Sequence, residues 1–474
     1  MTTPHHAGED RSNRDRDVAA TVEPRTLRTY TPSLAVLAKS AGVFHWTADG
    51  RRLYDFTSGV LVSNLGHNPS QWMRRFQRYM AWPDRLPDGD YFPAMPMTAY
   101  NAVTPIEVEA SRRLVDLLQS RPGGKRMEQV LWAASGSEAI QKALWACLAR
   151  DRNRDMILAT RYGFHGKKGL AGAVTGSEAD RERDERVRFI AFPMVECHDV
   201  SCRDFRFDAT VYRQELDALH EKFGRRIGTL ITEPYLGGGG SYHPPAAYLQ
   251  MLQQFCREHD IVFILDEVQS NFGRTGRMFA YETYGIEPDI AVLGKGLGNG
   301  VPVAAAAGRK DLFAALDYGE GSDTWSANPL CCASVLATLD EFAAGDVMAN
   351  CHRSSAVIEA GLVKLRELPF VAYVRGEKDG MVWGVEFKEH AGRTAADWAN
   401  AAVLACYLGD GGDGIHLLGP LAKKVIRIAP PLTITPAESD AAMSNMSASL
   451  RRLGEANPAT NGPPARAGSP APAR

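Results

Sequence analysis

Short apolar runs alternate along the middle of the chain with longer segments in which apolar residues recur at helical spacing. One helical face, formed by Tyr248, Leu252, Phe255 and Cys256, precedes an apolar run at 261–265. Strands that alternate with helices in this way predict a mostly parallel sheet in an α/β fold. We predict seven strands for this sheet, at residues 130–134, 156–159, 187–192, 229–232, 261–265, 290–293 and 303–307.

The segments on either side of this region have a different pattern. Residues 43–56 predict two short strands around an Asp49-Gly50 turn. Towards the other end, a helical segment precedes apolar runs at 382–387 and 425–428. These two segments together predict a smaller α+β domain built from the N- and C-terminal parts of the chain.

The predicted division of the chain follows these changes of pattern. The two ends are polar or Pro/Ala-rich and bury too little apolar surface to order themselves, so both are expected to be disordered tails. The predicted parts are a tail at 1–24, the N-terminal part of the small domain at 25–85, the large domain at 86–330, the C-terminal part of the small domain at 331–454, and a tail at 455–474.

Composition excludes several classes of protein. The chain has 474 residues, of which 45% are hydrophobic and 23% charged, and its formal net charge is −2. These values are ordinary for a soluble globular protein, and they give no field that would attract nucleic acid or an anionic membrane. No apolar stretch approaches the roughly 20 residues of a transmembrane helix, and the N-terminal segment lacks the apolar core of a secretory signal. We expect a soluble, cytoplasmic protein.

The eight cysteines are scattered without the spacing of a disulfide framework, which favours reduced thiols in a cytosol. Cys197-His198 with Cys202 has metal-binding residue types close together. No second ligand pair follows at zinc-finger spacing, so we interpret this segment as a polar loop and expect no bound metal.

Four polar residues lie at or just beyond the carboxyl ends of predicted strands: Ser135, Glu233, Asp266 and Lys295. In open α/β sheets, ligands bind at these ends. We therefore expect the four side chains to converge on one rim of the large sheet.

Asp266 and Lys295 are the pair that pyridoxal phosphate (PLP) chemistry requires. The lysine amine can form a Schiff base with the cofactor's aldehyde, and the carboxylate can keep the pyridine nitrogen protonated so that the ring accepts electrons. The sequence therefore predicts a PLP enzyme.

The motifs around these residues resemble those of the fold-type I, class III aminotransferases, the family of ornithine, 4-aminobutyrate and other ω-amino acid aminotransferases. The resemblance covers about residues 30–450 and implies the two-domain fold described above. It rests on segments in the family's order: Asn64-Leu-Gly-His67, Ser135-Gly-Ser137, Phe164-His-Gly166, Glu233-Pro234, Asp266 to Gln269, Gly273-Arg-Thr-Gly276, Lys295, Thr324 to Pro329 and Arg427 to Leu432.

The resemblance implies that PLP is held on Lys295 and that its phosphate binds the turn at Ser135. Gly136 and Ser137 would donate their backbone amides to that phosphate, as a small turn at a helix N-terminus is suited to do.

Other positions in the family's motifs would contact the cofactor ring. Phe164 would stack on the ring, with His165 next to it as a residue that orients the loop. The amide of Gln269 would reach the phenolic oxygen.

Thr324 matches a threonine that, in the family, reaches the phosphate of the neighbouring subunit's cofactor. The resemblance therefore implies a homodimer with shared active sites. Ala327 stands where the family has glycine, a change that matters if this position requires a positive φ.

Substrate recognition is expected at Glu233 and Arg427. The enzyme must bind an amino donor without an α-carboxylate and then a 2-oxo acid that has one. A guanidinium that grips a carboxylate with two hydrogen bonds could be masked by Glu233 in one half-reaction and freed in the other. By the same resemblance, the segment around Val60 forms part of the substrate pocket.

The expected activity is ping-pong transamination from an amino acid or ω-amine donor to a 2-oxo acid, such as 2-oxoglutarate or pyruvate, with Lys295 carrying the proton. A decarboxylase, racemase, aminomutase or phospho-lyase would use the same Asp266 and Lys295, and a non-catalytic PLP-binding regulator is a third alternative. The segment from Tyr235 to Pro245 departs from the ornithine and 4-aminobutyrate enzymes, which leaves the substrate open.

Overall fold

The computed structural model describes residues 3–180, 183–409 and 411–455. Its strands in chain order are β1 (Leu37–Ala41), β2 (Phe44–Thr47), β3 (Arg52–Asp55), β4 (Gln129–Ala133), β5 (Met156–Thr160), β6 (Val187–Ile190), β7 (Ile227–Thr232), β8 (Val262–Asp266), β9 (Ile290–Leu293), β10 (Ala304–Gly308), β11 (Val371–Gly376), β12 (Trp383–Phe387), β13 (Gly414–His416) and β14 (Val425–Ile428).

The α-helices are α1 (Asp10–Val22), α2 (Ser58–Leu61), α3 (Ser70–Tyr79), α4 (Pro105–Gln119), α5 (Gly136–Arg150), α6 (Gly169–Ala173), α7 (Thr210–Phe223), α8 (Ala246–Glu258), α9 (Ala280–Tyr284), α10 (Lys310–Phe313), α11 (Pro329–Ala344), α12 (Val347–Lys364), α13 (Ala395–Leu408) and α14 (Pro436–Glu455). Short 3-10 helices occupy Arg25–Leu27, Val200–Cys202, Gly224–Arg226, Lys295–Leu297 and Leu365–Glu367.

The predicted seven-stranded sheet is present, with strand order β4-β10-β9-β8-β7-β5-β6. Strands β6, β5, β7, β8 and β9 are parallel to one another, whereas β10 runs antiparallel to both of its neighbours. The carboxyl ends of β4, β5, β7, β8 and β9 consequently meet at one edge. We call this seven-stranded sheet the large sheet.

The large sheet is buried on both faces, which explains why its strands read as continuous apolar runs. In β7, Leu230 faces one buried layer and Ile231 the other; in β8, Phe263 and Ile264 are divided in the same way. The two layers are filled by helices that connect the strands, as the alternating pattern of the sequence predicted.

A separate apolar cluster, which we call the small core, joins the two ends of the chain. Val43, Tyr54 and Phe56 pack in it with residues contributed from 351–450, including Trp383 and Ile426. Beside it lie a four-stranded sheet of order β1-β2-β3-β13 and a three-stranded sheet of order β11-β12-β14. This packing confirms the α+β arrangement of N- and C-terminal segments.

The predicted domain boundaries do not coincide with the positions where the chain passes from one apolar core to the other. Trp72 and Phe76, before the expected boundary at residue 85, pack with the large sheet's core, as do Cys332 and Leu336, beyond the expected boundary at 330. The helix α11 contacts α3 and α4, which explains why these residues from both sides of the large domain pack in its core. The division into domains remains a prediction.

The expected disorder of residues 1–24 is wrong for most of that segment, because Asp10–Val22 forms the helix α1. Its one buried charged residue, Arg16, is paired within the fold. Arg16 donates to Glu9 at 2.7 Å, and Tyr407 donates to the same carboxylate at 2.9 Å, all three being buried. The Asp49 carboxylate accepts from the Ser12 backbone amide at 3.0 Å and stabilises the first turn.

The predicted C-terminal tail lies outside the described residues except for Glu455, which ends α14. Among the described helices, none has the length and apolar character needed to cross a membrane.

Candidate active site

Hydrogen-bonded register between neighbouring strands brings the predicted site residues together. Thr232, which precedes Glu233, pairs with Leu265, which precedes Asp266. Asp266 in turn pairs with Val292, shortly before Lys295. The three functional side chains therefore follow the adjacent carboxyl ends of β7, β8 and β9, where the sequence predicted a common rim.

Asp266 is nearly fully buried and is held by two hydrogen bonds. Its Oδ1 accepts from the backbone amide of Val268 at 3.0 Å, and its Oδ2 accepts from Nδ1 of His165 at 2.8 Å. The other ring nitrogen of His165, Nε2, is buried without a partner among the described residues. A carboxylate has lone pairs for further donors, so Asp266 is oriented but retains the capacity to accept from a ligand.

Lys295 begins a 3-10 helix directly after β9 and has a φ of 48°, a sparsely populated conformation for a residue with a side chain. Its amine makes no hydrogen bond or ion pair with the described residues. Burial lowers the pKa of Lys295 to about 7, with a further lowering by the Arg427 cation, while Glu233 and Asp266 act in the opposite direction. The site therefore presents an unpaired amine that is easily deprotonated.

The turn before α5 has the form expected of an anion site. Ser135 is the N-cap of α5, and its hydroxyl accepts from the Glu138 amide at 3.3 Å. The amides of Gly136 and Ser137 have no acceptor within the described chain, as is usual for the first turn of a helix. Because the helix N-terminus is the positive end of its dipole, these amides can bind a phosphate.

Two glycines permit close packing around this turn. A Cβ on Gly136 would lie 3.0 Å from Val268 Cγ1, and one on Gly166 would lie 2.6 Å from Ser137 Oγ. The loop after β8 and the Phe164–Gly166 segment can therefore approach the N-terminus of α5 only because Gly136 and Gly166 lack side chains.

Phe164 exposes 43% of its surface although it lies beside the most buried residues of the site. Its backbone amide donates to Glu233 Oε2 at 2.9 Å, and Gly237 donates to Oε1 at 3.3 Å. Burial, together with the nearby Asp266 charge, raises the pKa of Glu233 to about 7. The aromatic ring is thus available to stack on a flat ligand, and Glu233 is fixed behind it.

The expected ion pair between Glu233 and Arg427 is not formed. Instead, Arg427 on β14 donates from Nη1 to Gln269 Oε1 at 3.3 Å, and its Nε is buried without a partner in the described structure. The physical reason is that the Glu233 carboxylate is satisfied by two backbone amides. Burial lowers the pKa of Arg427, and the nearby Glu233 charge acts in the opposite direction, although no carboxylate of the described residues forms a salt bridge with the guanidinium.

Val60 is 37% exposed and lies in an unusual left-handed turn. Ser58, Gly59, Val60 and Leu61 all have positive φ, between 47° and 70°. Asp55 supports this turn, since its Oδ1 accepts from the Ser58 amide at 3.0 Å and from the Thr57 amide and hydroxyl at 2.7 Å each. The pocket role of Val60 stays a prediction.

Thr324 lies on an exposed loop, and its side chain makes no hydrogen bond within the described chain. The loop is anchored by Asp323, which accepts from the Lys142 amine of α5 at 2.7 Å. This contact was missed in the sequence, because a lysine on an amphipathic helix gives no sign of a partner so far along the chain. Ala327 has a φ of 55°, so its position does require the conformation that favours glycine.

These features fit PLP. The unpaired Lys295 amine suits an aldehyde, the free amides of α5 suit a phosphate, and the exposed face of Phe164 suits a pyridine ring. Asp266 can accept from a ring nitrogen, and the orphaned Nε2 of His165 is a further polar atom at this place.

Comparisons with known proteins agree with this chemistry. The family described as Aminotransferase class-III matches residues 90–450. The chain is 31% identical to a 2-aminoadipate transaminase of Pseudomonas putida, over 82% of this chain and 89% of the relative. It is 26% identical to an acetylornithine aminotransferase of Oceanobacillus iheyensis, over 88% of this chain and 93% of the relative.

Solved structures give the same result. An (S)-enantioselective ω-transaminase from Thermomicrobium roseum has 26% sequence identity and a TM-score of 0.76, covering 93% of this chain and 98% of its own. An amine transaminase from an uncultivated Pseudomonas species, in its PLP-bound form, has 25% identity and a TM-score of 0.74, covering 91% and 97%. The chain belongs to the class III aminotransferase family.

Proposed function

We propose that this aminotransferase moves an amino group from an amino acid or ω-amine donor to a 2-oxo acid whose carboxylate binds Arg427. PLP is the cofactor, and when bound it supplies an aldehyde that accepts amines and a ring that accepts an electron pair. The roles given to individual residues below are part of this proposal.

The observation that carries the proposal is the state of Arg427. Arg427 is only 5% exposed, its Nε lacks a partner among the described residues, and its side chain donates a hydrogen bond to the neutral amide of Gln269. A buried cation without a counter-ion is costly. A substrate carboxylate bound by two parallel hydrogen bonds would provide the missing charge.

Glu233 would act as the alternative partner of Arg427. Its carboxylate accepts from the backbone amides of Phe164 and Gly237 and forms no salt bridge with the described residues. When the donor has no α-carboxylate, rotation of Glu233 towards Arg427 would neutralise the guanidinium. The two arrangements would let one pocket accept both substrates.

The remaining residues would position the cofactor and move the proton. Asp266, oriented by His165, would keep the ring nitrogen protonated, and the amides of Gly136 and Ser137 would hold the phosphate. Lys295 would take the proton from the substrate carbon, because burial makes its amine a usable base near neutral pH.

We further infer a homodimer with shared sites in a reducing cytoplasm. Thr324 and the 60% exposed Trp325 lie on a loop that the contact of Asp323 with Lys142 anchors, and both side chains are exposed in the single chain. All eight cysteines are free and buried, which suits a reducing compartment.

A screen of amino donors, each with 2-oxoglutarate or pyruvate, tests the function directly. We expect turnover to require the oxo acid and to disappear in Lys295→Ala. Product formation that is independent of the oxo acid would contradict transamination and favour a decarboxylase or lyase on the same scaffold.

The reactivity of Lys295 in cofactor-free protein should depend on pH with a midpoint near 7. Its amine is charged below that pH and nucleophilic above it, so trace acylation should fall about tenfold for each unit below the midpoint. Peptide mass spectrometry would follow the labelling, with the exposed Lys388 as internal reference. Arg427→Ala should move the midpoint upward, since it removes a nearby positive charge; identical profiles for Lys295 and Lys388 would contradict the predicted environment.

Arg427→Ala should damage the half-reaction with the 2-oxo acid far more than the half-reaction with an ω-amine. Loss of a charge-assisted contact costs about 2–3 kcal/mol, or about 30- to 160-fold in the acceptor's specificity constant. Stopped-flow measurement of each half-reaction separates the two effects. Arg427→Lys is the matched control, because it keeps the charge but not the two-pronged geometry. Equal losses in both half-reactions would leave Arg427 as a structural residue.

Subunit mixing tests the shared site. Lys295→Ala subunits and Thr324→Ala subunits, each impaired alone, should form heterodimers in which one site has both residues intact, so activity should rise after exchange. Ser135→Ala provides the control: Ser135 acts within its own subunit, and mixing it with Lys295→Ala should restore nothing. Activity that stays at the sum of the parents for Thr324→Ala would argue against sharing.

A further inference from the structure

A buried group of His45, Asp55 and His67 lies outside the residues to which catalysis is assigned. One ligand atom of each lies within 4.8 Å of the others. Asp55 Oδ2 accepts from His67 Nε2 at 2.7 Å and lies 3.4 Å from His45 Nε2. The side chains of Asp55 and His45 are 0% and 4% exposed, and that of His67 is 16% exposed.

Two imidazole nitrogens and a carboxylate oxygen are ligands that zinc favours. Zinc–ligand distances of about 2.0–2.2 Å in a tetrahedral arrangement place ligand atoms about 3.4 Å apart. The Asp55–His45 separation already has this value. The Asp55–His67 hydrogen bond would need to open by about 0.7 Å, with the ion in place of the bridging proton.

The neighbours of the group hold the ligands in position. Ser40 Oγ lies 2.7 Å from Nδ1 of His45, so it can accept a hydrogen bond from a protonated Nδ1 while the lone pair of Nε2 points to the ion. The second oxygen of Asp55 is fixed by the Thr57 and Ser58 amides. Such outer contacts orient the ligands of metal sites.

A third imidazole packs against the group. The ring of His416 meets that of His45 edge-on at 5.5 Å between centroids, and its Nδ1 is buried without a hydrogen-bond partner in the described chain. His416 is therefore an unsatisfied imidazole packed against the group, and it is not one of the three proposed ligands.

We propose that His45, Asp55 and His67 form a binding site for a divalent transition metal of the zinc class. The sequence does not predict this site, because its residues belong to β2, the end of β3 and the loop after α2, without a metal-binding spacing. Coordination needs no net proton release from neutral rings, since each Nε2 proton can move to Nδ1. The site is structural, and it ties the β2–β3 hairpin to the left-handed turn that carries Val60.

Isothermal titration of the holoenzyme with zinc sulfate, after chelator treatment and dialysis, tests the site. We expect a zinc ion per chain to be bound with a dissociation constant that rises about 100-fold or more in His45→Gln and about 10- to 100-fold in Ser40→Ala. The control is His198→Gln, whose imidazole lies 3.6 Å from the Cys202 thiol in a different loop. This control should bind zinc as the unmodified enzyme does.

Amide hydrogen exchange locates the ion without reference to activity. Zinc should slow exchange at residues 55–61 in the unmodified enzyme and have a much smaller effect in Ser40→Ala, which keeps the fold even if His45→Gln does not. No zinc binding by the unmodified enzyme would overturn the proposal. Unchanged affinity in natively folded His45→Gln and Ser40→Ala, or loss of binding in His198→Gln, would overturn it as well.

Discussion

The hydrogen-bonded register of three parallel strands is the constraint on which the active site depends. The pairing of Thr232 with Leu265 and of Asp266 with Val292 fixes the relative positions of the side chains at the ends of β7, β8 and β9. A shift by one residue would turn every side chain of a strand to the opposite face. The apolar layers on both faces resist such a shift, so the core of the sheet holds Glu233, Asp266 and Lys295 in register.

Desolvation is the second determinant of the protonation states in the site, and it disfavours the charged forms of both a base, Lys295, and an acid, Glu233. Burial lowers the pKa of Lys295 and raises that of Glu233, and it brings both to about 7. The two groups and Arg427 influence one another, so the charge of one depends on the state of the others. A bound carboxylate or an amine substrate would therefore change protonation across the whole site, which suits an enzyme that alternates between two substrates.

The sequence predicted the large sheet well because both faces of its strands are buried, and continuous apolar runs such as those of β7 and β8 record that burial. It also predicted that Asp266 and Lys295 meet, since strand ends in a parallel sheet share an edge. It failed for α1, which is ordered by the pairing of Glu9 with Arg16 and the distant Tyr407. It also gave no sign that Arg427 would donate to Gln269 in this arrangement, because the backbone amides that hold Glu233 leave no trace in the side-chain pattern.

The side chains of the site come from two parts of the molecule. Asp266 ends β8 of the large sheet and Lys295 follows β9, whereas Arg427 lies on β14, where it pairs with Gly384 of β12 beside the small core. Gln269, in the loop after β8, contacts Arg427 and so joins the two parts. The Gln269 side chain fits there because Gly237 has no side chain, since a Cβ on Gly237 would lie 2.2 Å from Gln269 Oε1. Under the proposed function, substitutions along β14 and its neighbours would therefore alter which acid is bound, while the register of β8 and β9 would keep the amine chemistry unchanged.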